Sequence, residues 1–399
     1  MLLLLAGGAN PGAAAETSLQ LRPEHQRHSA RVSEAANEAI ALCTEWFGAP
    51  PFERLTVESA PAGSQAAGDR PGHVVVPMHW LQPARSLMLE ADVTRAVVRQ
   101  WWGVGIVLPD RFLADGIAEY AHTRMLERIY DRRFQREAYS TYEVRFFGGL
   151  LPWAIRALRL DRATAVVTLG EFRQIADVDV RSADSSLQRA QAAKIATALI
   201  TLERYIGWPA LQRGFSLAAE RYRGKTMTAA DFAQAVSDAS DRDLSWFFTP
   251  VFNGPSHWDY AVESLTTEAL ANTTCGSAQC VRSTVVVQRN GNTPFTGTSQ
   301  EPAGSFQSGR AVEIELQFAD GQVVSERWDG RSETRQLVYD APSPVIRATV
   351  DPRQVLALDL RRLNNSRSTR VDASGGKLSW TARWTIWFQD LLMTHAVLY

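Results

Sequence analysis

The feature that most constrains the fold is a change of hydrophobic period near Pro255. Before it, apolar residues recur at helical spacing over long stretches. After it, they alternate in short runs bounded by turn residues. A period near 3.6 requires helices with one buried stripe, and a period of 2 requires strands with one buried face. The chain is therefore expected to fold as a mostly helical part followed by an antiparallel sheet part, a multidomain α+β architecture. At 399 residues it is long enough for that.

In the first part, HSARVSEAANEAIALCTEWF (His28–Phe47) places Val32, Ala36, Ile40, Cys43 and Phe47 on one helical face, and Gly48 with Pro50 and Pro51 ends it. LTVESA (Leu55–Ala60) and HVVVPMHW (His73–Trp80) read as strands across a Gly-rich turn. A helix is predicted from Pro83 to Gly103, with Leu89, Val93, Ala96, Val97 and Trp101 as its stripe, and a second from about Leu113 to Glu137. Further helices are predicted over Leu187–Ile206, Ala210–Tyr222 and Ala229–Ala239, the last with Thr228 as a cap; SWFFTPVF (Ser245–Phe252) is an apolar closing segment.

Beyond Pro255, strands are expected at Ser283–Arg289, Ala311–Phe318, Gln322–Trp328, Thr334–Asp340, Val345–Asp351 and Val355–Leu360, a spacing that suits an immunoglobulin-like β-sandwich. Asn364–Gly376 is polar and reads as a linker. It leads to WTARWTIWFQDLLMTHAVLY (Trp380–Tyr399), where Arg383, Asp390 and Thr394 share one face of an otherwise apolar helix. Such a helix suits a membrane interface or a docking partner, and the residues alone do not choose.

A net charge of -1 with no basic cluster excludes nucleic acid as a partner. Of the three cysteines, Cys275 and Cys280 in CGSAQC are spaced for a small disulfide loop in an oxidising compartment, or for two free thiols in a loop. The N-terminal MLLLLAGGANPGAAAE has an apolar run and a cleavable AAA but no positive start. It is read as a signal-like or truncated segment. A periplasmic or membrane-associated location is expected, with a cytoplasmic one as the alternative.

Several segments in order carry a family likeness. EWFGAPPFERLTVESAP, GDRPG, RAVVRQWWG, LADGIAEY, QAAKIATALITLERYIG and TAADFAQAVSDASDRDLSWFF follow the series found in the membrane alanine aminopeptidase family of zinc peptidases, whose catalytic domain is thermolysin-like. RAVVRQWWG resembles the family's HExxHQWFG, LADGIAEY its LNEGFASY, and GDRPG stands at its Gly-x-Met-Glu-Asn motif. The resemblance implies a thermolysin-like peptidase domain over 22–254, after the segment 1–21. The sandwich over 255–362, a linker over 363–379 and an amphipathic helix over 380–399 follow it.

The family's chemistry is not spelled out by the same positions. Its two zinc-binding histidines stand at Arg95 and Arg99, its general-base glutamate at Ala96, its third ligand at Asp115 and its catalytic tyrosine at Ala192. The glutamate that anchors the substrate amine stands at Asp69, beside Arg70, which leaves Asp69 and Arg70 as substrate-binding candidates. The loop between Arg99 and Asp115 is a few residues shorter than in the family. Arginine stays protonated and has no lone pair for a cation. Arg95, Arg99 and Asp115 are therefore expected to form an ion-pair cluster where the family holds zinc, with no metal and no cofactor.

A rival metal constellation is Asp115, Glu119 and His122, which share a helical face; His73 and His79 share a strand face without a third partner. The function expected is that of a degenerate aminopeptidase with a peptide-binding, scaffold or assembly role, bound to a peptide or protein partner. Two alternatives stand beside it. One is an active aminopeptidase with a rebuilt site, and the other is a membrane-associated module of an envelope or transport assembly, touching the membrane surface through Trp380–Tyr399.

Overall fold

A computed structural model describes residues 16–64, 70–79, 87–137, 175, 178–275, 278–295 and 311–369. Asp69 and the segment Trp380–Tyr399 lie outside them. The chain divides into two compact units. The first comprises Met1–Asp259, Gly291–Arg310 and Arg353–Leu360; the second comprises Tyr260–Asn290, Ala311–Pro352 and Arg361–Tyr399. Helix and sheet are mixed, and among the described residues no helix is long and apolar enough to cross a membrane.

The first unit opens with a three-stranded parallel sheet, β1 (Glu16–Gln20), β2 (Arg54–Pro61) and β3 (His73–Met78), in that order. Leu55 and Val57 on β2, and Val74, Val76 and Met78 on β3, are buried, and their alternation fixes the face that meets the helices. β1 was missed in the sequence because ETSLQ is short and mostly polar; it gains its place by pairing with β2 over Glu16–Gln20.

The described residues also form seven α-helices: α1 (Ser29–Phe47), α2 (Met88–Trp101), α3 (Arg111–Glu137), α4 (Gln188–Ile206), α5 (Trp208–Tyr222), α6 (Ala229–Ser240) and α7 (Ser245–Phe252). Each forms around the stripe its sequence offers. On α1 Val32, Ala36, Ile40, Cys43 and Phe47 are all buried, and the helix stops where Gly48 takes a φ of 88°, open to glycine at little cost. On α2 the buried stripe is Leu89, Val93, Val97 and Trp101, while Ala96 sits at its edge. Thr228 accepts from the Asp231 amide and Asp231 returns a bond to the Thr228 amide, a full capping box on α6.

The core of this unit is aromatic. Trp102, fully buried, meets Phe47, Phe215 and Phe232 edge-on at centroid distances of 5.3, 5.6 and 6.2 Å, and Tyr120 stacks on Phe215 at 5.8 Å. Trp101 turns the other way and donates its indole N–H to the Gly48 carbonyl at 3.0 Å.

The second unit consists of antiparallel strands: β4 (Tyr260–Cys275), β5 (Ala278–Arg289), β6 (Val312–Phe318), β7 (Val323–Trp328), β8 (Thr334–Ala341), β9 (Val345–Val350) and β10 (Ser366–Ser368). They form two sheets, ordered β4-β5-β8 and β10-β9-β6-β7. Val312, Ile314, Leu316 and Phe318 are buried on β6 as their alternation requires. Cys275 and Cys280 are joined in a disulfide beside the β4–β5 turn.

Two expectations are corrected here, and one strand is added. Val355–Leu360 forms no strand. Its apolar residues Leu356, Ala357 and Leu358 are buried in the first unit, where the Leu358 amide donates to Thr201 Oγ1 at 3.2 Å. The start of the expected linker pairs instead with β9 as β10, since ladder bonds use only backbone groups and an exposed edge tolerates polar side chains. β4 was not anticipated because register shifts after Val262 and Ala269 interrupt its alternation.

Candidate functional site

The site lies where the last two turns of α2 face the first turns of α3. Residues one helical turn apart share a face. Arg95 and Arg99 therefore stand one above the other on α2, and Asp115 and Glu119 do the same on α3. Because the two helices pair in opposite directions, Arg95 meets Glu119 and Arg99 meets Asp115. The result is a two-rung ladder of charge.

On one rung, Arg99 Nη2 donates to Asp115 Oδ1 at 2.6 Å. Asp115, only 9% exposed, also accepts from Gln188 Nε2 of α4 at 2.7 Å, and Arg111 Nε lies 3.9 Å away. On the other rung, Arg95 Nε donates to Glu119 Oε2 at 3.0 Å, its Nη1 donates to Asp92 Oδ1 at 2.9 Å and its Nη2 to His122 Nε2 at 3.2 Å. His122 is fully buried and its Nδ1 donates to the Ala118 carbonyl at 3.1 Å. Accepting from a cation on one nitrogen and donating on the other requires the neutral Nδ1–H tautomer.

Charges in this cluster set one another. Burial works to raise the Glu119 carboxyl, but Arg95 beside it, with His122 and Arg99 adding, holds it below its ordinary value. Burial pushes the His122 imidazole down to about 4 against the opposing pull of Glu119.

Arg95, Arg99 and Asp115 are thus not bonded to one another as the single ion-pair set expected. Arg99 and Asp115 are in contact, while Arg95 is directed to Glu119, Asp92 and His122, because the antiparallel pairing carries it one turn further along α3. The rival constellation also separates. Asp115 is occupied by Arg99 and Gln188, His122 Nε2 lies 3.6 Å from Glu119 Oε1, and Arg95 is bound to both of these residues. Among the described residues no group of three or more His, Cys, Asp or Glu side chains is arranged to hold a metal. The donor set at the positions that the resemblance aligns with zinc ligands does not fit zinc. Two guanidiniums offer N–H groups where a cation needs lone pairs, and the carboxylates facing them already accept from those N–H groups.

Ala192 of α4 is partly buried, and its carbonyl lies 3.3 Å from where a Cβ on Gly116 would stand, so α3 and α4 cross closely beside the site. Arg70 is exposed; its backbone pairs with His73 in a tight bridge before β3. Gln100 of α2 holds this turn. Its Oε1 accepts from the Gly72 amide at 2.8 Å and its Nε2 donates to the His73 carbonyl at 3.4 Å. His73 Nε2 lies 3.0 Å from Glu58 Oε2 on the sheet, and His79 follows the end of β3. Asp92, Gln100 and Gln188 escaped the sequence reading. Asp92 sits at the i, i+3 spacing from Arg95 that was available as a signal, whereas Gln188 reaches the site only through the packing of α4.

No protein-family model matches the chain, and no curated protein matches it in sequence. Among solved structures, the crystal structure of Legionella pneumophila aminopeptidase A in complex with aspartic acid matches at a TM-score of 0.50 and 12% identity. The match covers 86% of this chain and 36% of that one, so the chain spans about a third of that protein's length. The likeness is one of fold. The chain has a peptidase-like fold.

Proposed function

We propose that this protein is a non-catalytic relative of the zinc aminopeptidases that keeps the peptidase scaffold for binding a peptide or protein partner. One observation carries the reading. The positions that the resemblance aligns with the two zinc-binding histidines hold guanidiniums bonded to carboxylates, with Arg99 on Asp115 at 2.6 Å and Arg95 on Glu119 at 3.0 Å. Removing a metal would strand Asp115, largely buried, without a counter-charge, and Arg99 supplies one. Ala96 provides no base for water, and Ala192 no hydroxyl for a tetrahedral intermediate. The chain then has no use for zinc at this place. The Cys275–Cys280 disulfide favours an oxidising compartment, in keeping with a periplasmic location.

The test is direct. Purified protein, analysed for metals and assayed with a panel of aminoacyl arylamides, is expected to carry no stoichiometric zinc and to release no arylamine above a blank. Stoichiometric zinc together with chelator-sensitive turnover would overturn the reading.

A further inference from the structure

We propose that His122 is an acid-operated hydrogen-bond exchanger between α2 and α3: on protonation its Nε2 ceases to accept from Arg95 and donates to Glu119 instead. The geometry holds both states. At neutral pH the imidazole accepts from Arg95 Nη2 at 3.2 Å through Nε2 and donates from Nδ1 to the Ala118 carbonyl at 3.1 Å. A proton added to the ring must go to Nε2, which then faces Arg95 donor to donor. The alternative acceptor is already in place. Glu119 Oε1 is buried without a hydrogen-bond partner and lies 3.6 Å from Nε2. A buried unpaired carboxylate oxygen is costly, and a movement of well under an ångström brings it to hydrogen-bond distance of a protonated ring.

Burial opposes a proton on this ring, Glu119 favours it, and Arg95 and Arg99 oppose it. From α2, Asp92, Arg95 and Arg99 face the cluster, and His79 beyond β3 acts on Asp92; from α3 the facing group is Glu119. On α1, Arg31 is bound to Glu90. On α4, Glu203 is bound by Tyr120 and Arg124, which lie two positions before and after His122 and so on other faces of α3. Arg95 keeps its bonds to Glu119 Oε2 and Asp92 Oδ1 while its Nη2 loses the imidazole. The contact between the two site helices therefore changes with pH whichever ligand the site takes.

Nitrogen NMR of the full chain labelled with 15N-histidine tests this. At pH 7 the His122 ring is expected to carry its proton on Nδ1 with Nε2 bare, and on acidification Nε2 should take up a proton in one step while the chain is still folded. In Glu119→Gln, with the anionic acceptor gone, the midpoint should fall by about one pH unit, tenfold in proton affinity. An Nε2–H tautomer at pH 7, an unchanged midpoint in E119Q, or unfolding before His122 protonates overturns the proposal. The wild-type tautomer decides the matter even if E119Q does not fold.

Discussion

A neutral imidazole held between a guanidinium and a backbone carbonyl makes stability depend on pH. The unfolded chain binds the His122 proton near the ordinary 6.5 and the folded chain near about 4. Between those values the unfolded state holds more protons, so stability falls as pH falls; it is intact above pH 6.5 and most reduced below pH 4. For a ring with no exposure the loss amounts to roughly 3 kcal/mol across that window. Urea unfolding at pH 7 and 4.5 is expected to show a drop in wild type that His122→Gln largely removes. An equal drop in both would assign the acid sensitivity to other groups. At the neighbouring rung, Arg99→Met leaves Asp115 buried with a hydrogen bond from Gln188 and with Arg111 3.9 Å away, at an expected cost of about 2 kcal/mol. Because Arg99 is a third exposed, Asp115→Leu added to Arg99→Met should cost less than the two single changes together. Strict additivity in chemical denaturation would show that the rung contributes no coupling.

Among the elements, the crossing of α3 over α4 decides how closely Asp115 and Gln188 approach. Gly116 permits it, since an added Cβ would lie 2.4 Å from Cβ and Cγ2 of Ile195, atoms at the root of a β-branched chain that cannot swing aside. Gly116→Ala is expected to destabilise by about 2 kcal/mol, and Ile195→Ala in the same chain to recover part of that loss. Thermal melts of the two variants check it, and an unaffected Gly116→Ala would mean the helices separate without penalty. The cap on α6 gives a smaller effect. Thr228→Ala removes the side-chain acceptor for the Asp231 amide and should cost about 1 kcal/mol.

At the scale of the molecule, the disulfide belongs to the second unit alone, where it spans an irregular end of the β4–β5 hairpin. In the chain-entropy picture a loop this short contributes about 2 kcal/mol. Replacing both Cys275 and Cys280 by Ala should lower the unfolding midpoint of the second unit, followed by strand-sensitive infrared bands. The helical signal at 222 nm, which reports the first unit, should keep its midpoint. A shared downward shift would show that the two units unfold together.

What the sequence determined by itself was the helices, the strands with clean alternation, and the charged residues of α2 and α3 at the site; β1, β4 and β10 lay outside its periodic patterns. Stripes such as Val32–Phe47 on α1 and the alternation of β6 are local patterns, and burial follows from them once any core exists. Arg95 and Arg99 announce, by side-chain chemistry alone, that this helix face offers N–H donors and no lone pairs. Only the tertiary structure decided who partners whom. Arg95 reaches Glu119 rather than Asp115 because α2 and α3 pair in opposite directions, and Gln188 enters from a helix far along the chain. The Val355–Leu360 run, apolar enough for a strand, went to the first unit because burial, not β pairing, was the larger gain available to it. Such choices rest on contacts between residues distant in sequence, which no local period encodes.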